Sequence, residues 1–129
     1  MKSKKSTILI TVIALIVALM HFVIGPNYQG LCKGFLRSYL LDILLPMSTY
    51  LLFQLAARKQ ISVLYSRFIG ALAVFILGLV VEISQYYGLD FLGSTYDSFD
   101  IICYAFGIFL GLMIDIFIIS RLERTKRIN

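Results

Sequence analysis

Four apolar stretches, each close to twenty residues long and separated by short polar breaks, dominate this chain of 129 residues. A bilayer hydrocarbon core about 30 Å thick takes roughly 20 residues of helix, and each stretch meets that length. The first covers about residues 7–24 and stops at Gly25 and Pro26, where the proline removes a donor and ends a helix. The second covers about 38–57 and stops at Arg58, Lys59 and Gln60. The third covers about 64–87, with Gly88 as its C-terminal stop. The fourth covers about 98–120, and a charged tail follows it.

Composition decides which solvent surrounds these stretches. The chain is 60% hydrophobic and 15% charged, against about 45–50% and about 25% in ordinary soluble domains. A chain this short cannot hide so much apolar surface from water. The reading is all-α: one integral-membrane domain over residues 1–129, a four-helix transmembrane bundle in which short connections make consecutive helices antiparallel neighbours. Disorder and a nucleic-acid-binding fold are excluded despite the net charge of +5, and the two cysteines, Cys32 and Cys103, make no disulfide framework. The lipid bilayer is the expected partner, and nucleic acid is not.

The basic start at Lys2, Lys4 and Lys5 followed by an apolar run also fits a secretory signal. Here the run lasts to Ile24, beyond a usual core of ~7–15 residues, and no small-x-small cleavage site precedes Gly25. The first span is therefore read as retained. Leu31 stands directly before Cys32, where a lipidated cysteine wants a small residue.

Cations set the orientation. Lys2, Lys4, Lys5, Arg58, Lys59, Arg67, Arg121, Arg124, Lys126 and Arg127 fall at one end of the spans, and only Lys33 and Arg37 at the other. Positive residues in short loops stay cytoplasmic, so both termini are expected in the cytoplasm of a cell-membrane protein. The opposite side then receives the loops 25–37 and 88–97, and Asp90, Asp97 and Asp100 lie on or near it.

Charge inside a span costs ~2.5–3.5 kcal/mol on insertion scales, which makes each such residue a functional candidate. Arg67 and Glu82 are fifteen residues apart on the third span, and so are Asp100 and Asp115 on the fourth. Fifteen residues rise roughly 22 Å, so antiparallel packing puts Arg67 level with Asp115 and Glu82 level with Asp100. The inner pair reads as a structural ion pair, the other option being that Asp115 snorkels toward the cytoplasm. At the outer level Arg37, Asp42, Glu82, Gln85, Asp97 and Asp100 converge, with His21 near the end of the first span. Two carboxylates in low dielectric cannot both ionise cheaply, so a proton or a cation such as Arg37 must neutralise the group. Such a cluster either binds a ligand, passes protons or positions water, or only fixes helix packing.

Spacing orders the fourth span further. Asp97 suits an N-cap and Asp100 the first turn. Asp100, Tyr104, Gly107, Gly111 and Asp115 form one stripe, in which Gly107 and Gly111 make a GxxxG that admits a close helix, taken to be one of this chain. On the second span Tyr39, Asp42, Pro46, Thr49 and Phe53 form a comparable stripe, with a kink expected at Pro46. No cofactor or metal is expected. His21 alone cannot make a zinc site, and a carboxylate-only site from Glu82, Asp97 and Asp100 is the one metal arrangement the residues could build. No phosphate loop and no Ser–His pairing is visible.

The run Glu82-Ile83-Ser84-Gln85, a short outer loop, and then Asp97 through Asp100, Tyr104 and Gly107 resembles the VanZ-like membrane proteins. Those carry Glu-x-x-Gln on one helix and Asp-x-x-x-Asn-x-x-Gly opening the next. The resemblance covers about residues 37–115, Asp42 included, and is that of a divergent member: Tyr104 stands where the family has Asn, and Ser94 where it has Arg. It implies a small bacterial envelope protein of unestablished mechanism, linked to glycopeptide (teicoplanin) sensitivity. The function expected is recognition of an envelope component or small polar ligand by the outer cluster. Two other classes stay open: a small transporter or channel coupled to protons or ions, and a membrane enzyme using Glu82 or Asp100 as general acid or base.

Overall fold

The computed structural model describes residues 4–24, 29–89 and 97–128, apart from the side chains at 33, 37, 38 and 126–128. Among the described residues all regular structure is helical. We label α1 Lys4–Val23, α2 Leu41–Ala57, α3 Val63–Tyr86 and α4 Ser98–Ile114. Among the described residues three helices are long and apolar enough to cross a membrane: α1, α3, and α4 with its continuation to Thr125, at mean hydropathies of 2.5, 2.1 and 2.4.

α2 is shorter, with 17 residues. A helical turn at Lys33–Phe35 and a π-helical turn at Leu36–Leu40 lead into it directly. The rod so formed starts before the expected residue 38 and reaches roughly 37 Å at ~1.5 Å per residue, enough for a bilayer core. Pro46 sits buried within α2, and its missing N–H leaves the carbonyl of Asp42 without its intrahelical donor.

Each helix end has a local cause. Asp97 caps α4 from an extended backbone, its carboxylate accepting from the N–H of Phe99 at 2.9 Å. α3 ends at Gly88, whose φ of +76° favours glycine. There the N–H of Gly88 donates to the carbonyl of Gln85 and that of Leu89 to Ser84, a Schellman closure. α4 passes through a π-helical stretch, Asp115–Ile119, into a final helix, α5, Ser120–Ile128. The basic tail expected after residue 120 is thus helical through most of its length. Nothing after Gly111 breaks a helix, and cations suit a helix C-terminus. The expected stop at Gly25 and Pro26 lies outside the described residues, as do Asp90 and Ser94.

α2 is the central helix and packs against α1, α3 and α4, most extensively against α4. Glycine makes that closeness possible. A Cβ added at Gly107 would collide with the backbone carbonyl of Ile43, and one at Gly111 would stand 2.8 Å from the Tyr50 ring. The core gathers Ile10, Tyr50, Leu51, Val74, Ile108 and Ile119. Along the α2 stripe Pro46 is buried and Thr49 exposed, and Met47, Tyr50, Leu51 and Gln54 are buried beside Pro46. Thr49 tolerates this because its hydroxyl donates to the carbonyl of Leu45.

Polarity is inverted relative to a water-soluble bundle. Ser6, Ser48, Gln54, Ser66, Glu82 and Asp115 are buried, while Phe22, Leu64, Phe68, Phe109 and Phe117 face outward. An apolar exterior of this extent is far beyond the patches of soluble monomers.

Candidate functional site

The connections put two polar clusters at opposite ends of the bundle. One joins the start of α2, the end of α3 and the start of α4. The other joins the end of α2, the start of α3 and the junction of α4 with α5.

The first cluster centres on Glu82, only 1% exposed although it is a carboxylate. Tyr104 donates its phenol to Glu82 Oε1 at 2.9 Å. Gly78, one turn before Glu82, makes room for the ring, since a Cβ there would lie 2.7 Å from the ring edge. Glu82 Oε2 and Gln85 Oε1 are buried with no hydrogen-bond partner among the described residues. Asp42 and Asp100 approach each other across the α2–α4 contact. Glu82 and Asp97 lie close to both. Asp97 is exposed and engaged as the N-cap. Tyr39, on the π-helical turn, packs edge-on against Phe99 at a centroid separation of 5.1 Å.

Asp42, Glu82, Gln85, Asp97, Asp100 and Tyr104 therefore share one end of the bundle. Of Arg37 only the backbone is described, on the π-helical turn. His21 does not join them; it is exposed on α1 against Phe22. Two features hold Asp42: the π-helical turn ends two residues before it, and Pro46 follows one turn after. Such irregular backbone recurs at functional sites.

The second cluster is built on Asp115, which has no exposed surface. Arg67 donates Nε–H to Asp115 Oδ2 at 2.8 Å and Nη2–H to the Ser120 hydroxyl at 2.7 Å. Arg58 bonds Asp115 Oδ1 through Nη2 and Glu123 Oε2 through Nη1, the latter at 3.2 Å. The Tyr50 phenol approaches Asp115 Oδ2 at 3.5 Å. Beside this, Gln54 and Ser66 bond reciprocally: the amide donates to the Ser66 carbonyl and the Ser66 hydroxyl donates to Gln54 Oε1, each at 2.8 Å. Asp115 is thus turned inward and held by two guanidinium groups, and it does not snorkel.

Sequence spacing missed Gly78, Tyr50, Arg58, Gln54, Ser66, Ser120 and Glu123. Gly78 carried one usable signal, a glycine one turn from a membrane-level carboxylate. Arg58 was visible only as a loop cation.

The clusters differ chemically. In the second, two guanidinium groups face two carboxylates, and among the described residues only Arg58 Nε is buried without a partner. In the first, acceptors outnumber donors, and among the described residues no ion pair reaches Asp42, Glu82 or Asp100. Such a site takes up hydrogen-bond donors, positive charge or protons. Among the described residues no three His, Cys, Asp or Glu side chains are grouped to hold a metal ion. No family model, no curated protein and no solved structure matches the chain.

Proposed function

We propose that the chain is a VanZ-like multi-pass protein of the cytoplasmic membrane, a four-helix transmembrane bundle with both termini in the cytoplasm. Its outward-facing acidic cluster recognises a small polar ligand or component of the cell envelope. The apolar exterior and the three membrane-length helices support the membrane setting. The bias of ten of twelve cations toward one end supports the orientation.

One observation carries the functional part: the second oxygen of Glu82 is buried and has no partner among the described residues. A network that exists only to fix packing ends with its acceptors satisfied, as both Asp115 oxygens are. The Glu82 cluster does not end that way. It keeps acceptors available close to the carboxyl groups of Asp42 and Asp100. Donors supplied by a ligand would complete it.

The test is a deletion strain profiled against cell-wall-directed antibiotics, teicoplanin among them, and complemented with Glu82→Gln or Asp100→Asn. Both variants are expected to reach normal membrane levels and fail to restore the phenotype. Full complementation by both removes the reading. The carboxyl pair Asp42 and Asp100 favours a second reading, a small transporter or channel coupled to protons or ions. Flux above empty vesicles in reconstituted liposomes, lost in Asp100→Asn, would select it.

A further inference from the structure

Of the arginines with described side chains, Arg58 and Arg67 are consumed by Asp115 and Glu123. Arg121 and Arg124 are exposed, and among the described residues no ion pair engages them. They lie three residues apart on α5, and Phe117 precedes Arg121 by one turn, so all three share a helix face. With Ile116 and Ser120 they line a groove of about 200 Å³. Its floor is apolar: Phe117 is 63% exposed and Ile116 37%. Ser120 supplies another donor, because its oxygen accepts from Arg67 and its own proton is left to give. The groove lies where apolar sequence gives way to charge, since the apolar residues 116–119 of the π-helical stretch end there and charge begins with Arg121.

We propose that this groove binds an anionic phospholipid. The two guanidinium groups and the Ser120 hydroxyl hold the phosphate, and an acyl chain lies on Phe117 and Ile116. Guanidinium forks match phosphate oxygens bidentately, and a lipid alone joins that anion to a tail able to cover the exposed ring below it. The proposal rests on the membrane-spanning reading and is independent of what the acidic cluster binds.

The experiment uses the full chain in detergent, titrated with phosphatidylglycerol, phosphatidylcholine or glycerol phosphate, with bound molecules counted by native mass spectrometry. Phosphatidylglycerol should be retained in preference to phosphatidylcholine, and glycerol phosphate should not displace it. A charge-assisted hydrogen bond is worth roughly tenfold or more, so Arg121→Gln with Arg124→Gln should lower retention at least tenfold. Lys4→Gln with Lys59→Gln removes equal charge from the same end and should leave retention unchanged. Should the glutamine pair not fold, Arg121→Lys with Arg124→Lys keeps the charge and should still weaken retention severalfold. Unchanged retention in the arginine variants, equal loss in the lysine control, or displacement by glycerol phosphate would each overturn the proposal. Failure of the membrane reading shows separately, as release of the chain from membranes by alkaline carbonate.

Discussion

Tyr104 donates to Glu82 across the α3–α4 interface at 2.9 Å, and this is the one hydrogen bond that the buried carboxylate receives among the described residues. Gly78 sets the geometry by leaving the space that the Tyr104 ring occupies. A backbone position on α3 thus fixes where the phenol from α4 can deliver its proton, and the acid's second oxygen is left without a partner among the described residues.

Tyr104→Phe removes that donor while keeping the ring. A buried acceptor stripped of its partner costs about 1–3 kcal/mol, so the variant should melt measurably lower in detergent. An unchanged melting temperature would mean that the bond contributes nothing. Gly78→Ala, which pushes the ring aside, should lower stability in the same direction.

Asp115→Asn should be the most damaging single change to the opposite cluster. It leaves Arg58 and Arg67 buried or half-buried without their shared carboxylate, and breaking a buried pair costs about 3–5 kcal/mol. Arg58→Gln should cost more than Arg67→Gln, because the Arg58 side chain is 5% exposed and that of Arg67 22%. Melting temperatures of the three variants in detergent give the order. Equal stability for Asp115→Asn and wild type would contradict a stabilising role.

Heights along the helices were legible in the sequence, and rotations were not. Equal fifteen-residue spacings on antiparallel helices put Arg67 opposite Asp115, where the two side chains meet. The same spacing put Glu82 level with Asp100, yet Glu82 bonds Tyr104 one turn deeper, and Asp100 turns toward Asp42. Periodicity fixes a level to within a turn; which of several polar groups faces inward depends on how α2 wedges between its neighbours. Arg58 lies just past the end of α2, where no period gives a direction. The π-helical turns beside Asp42 and at Asp115 leave no mark in an apolar sequence.

Gly107→Ala and Gly111→Ala should separate in severity. The new Cβ at Gly107 meets backbone, the Ile43 carbonyl, which can yield only by moving α2 away from α4. At Gly111 the nearest atom belongs to the Tyr50 ring, with the Met47 carbonyl 3.2 Å away. Overpacking costs about 1–3 kcal/mol, and Gly107→Ala should lie at the upper end of that range. A larger loss in Gly111→Ala, read from melting curves in detergent, would show that the Ile43 contact is not the tight one.

Topology can be read from the two cysteines, because the structure gives them opposite accessibility. Cys32 is exposed before the helical rod of α2, and Cys103 is buried in α4. With both termini cytoplasmic, Cys32 lies on the outer side. A membrane-impermeant thiol reagent added to intact cells should therefore modify Cys32 and leave Cys103 untouched until the protein is denatured. Cys32→Ser should then abolish labelling of intact cells. Labelling of Cys32 only after lysis would invert the orientation and move the acidic cluster to the cytoplasmic face. The ligand would then have to be a cytoplasmic molecule, and the envelope reading would fall with it.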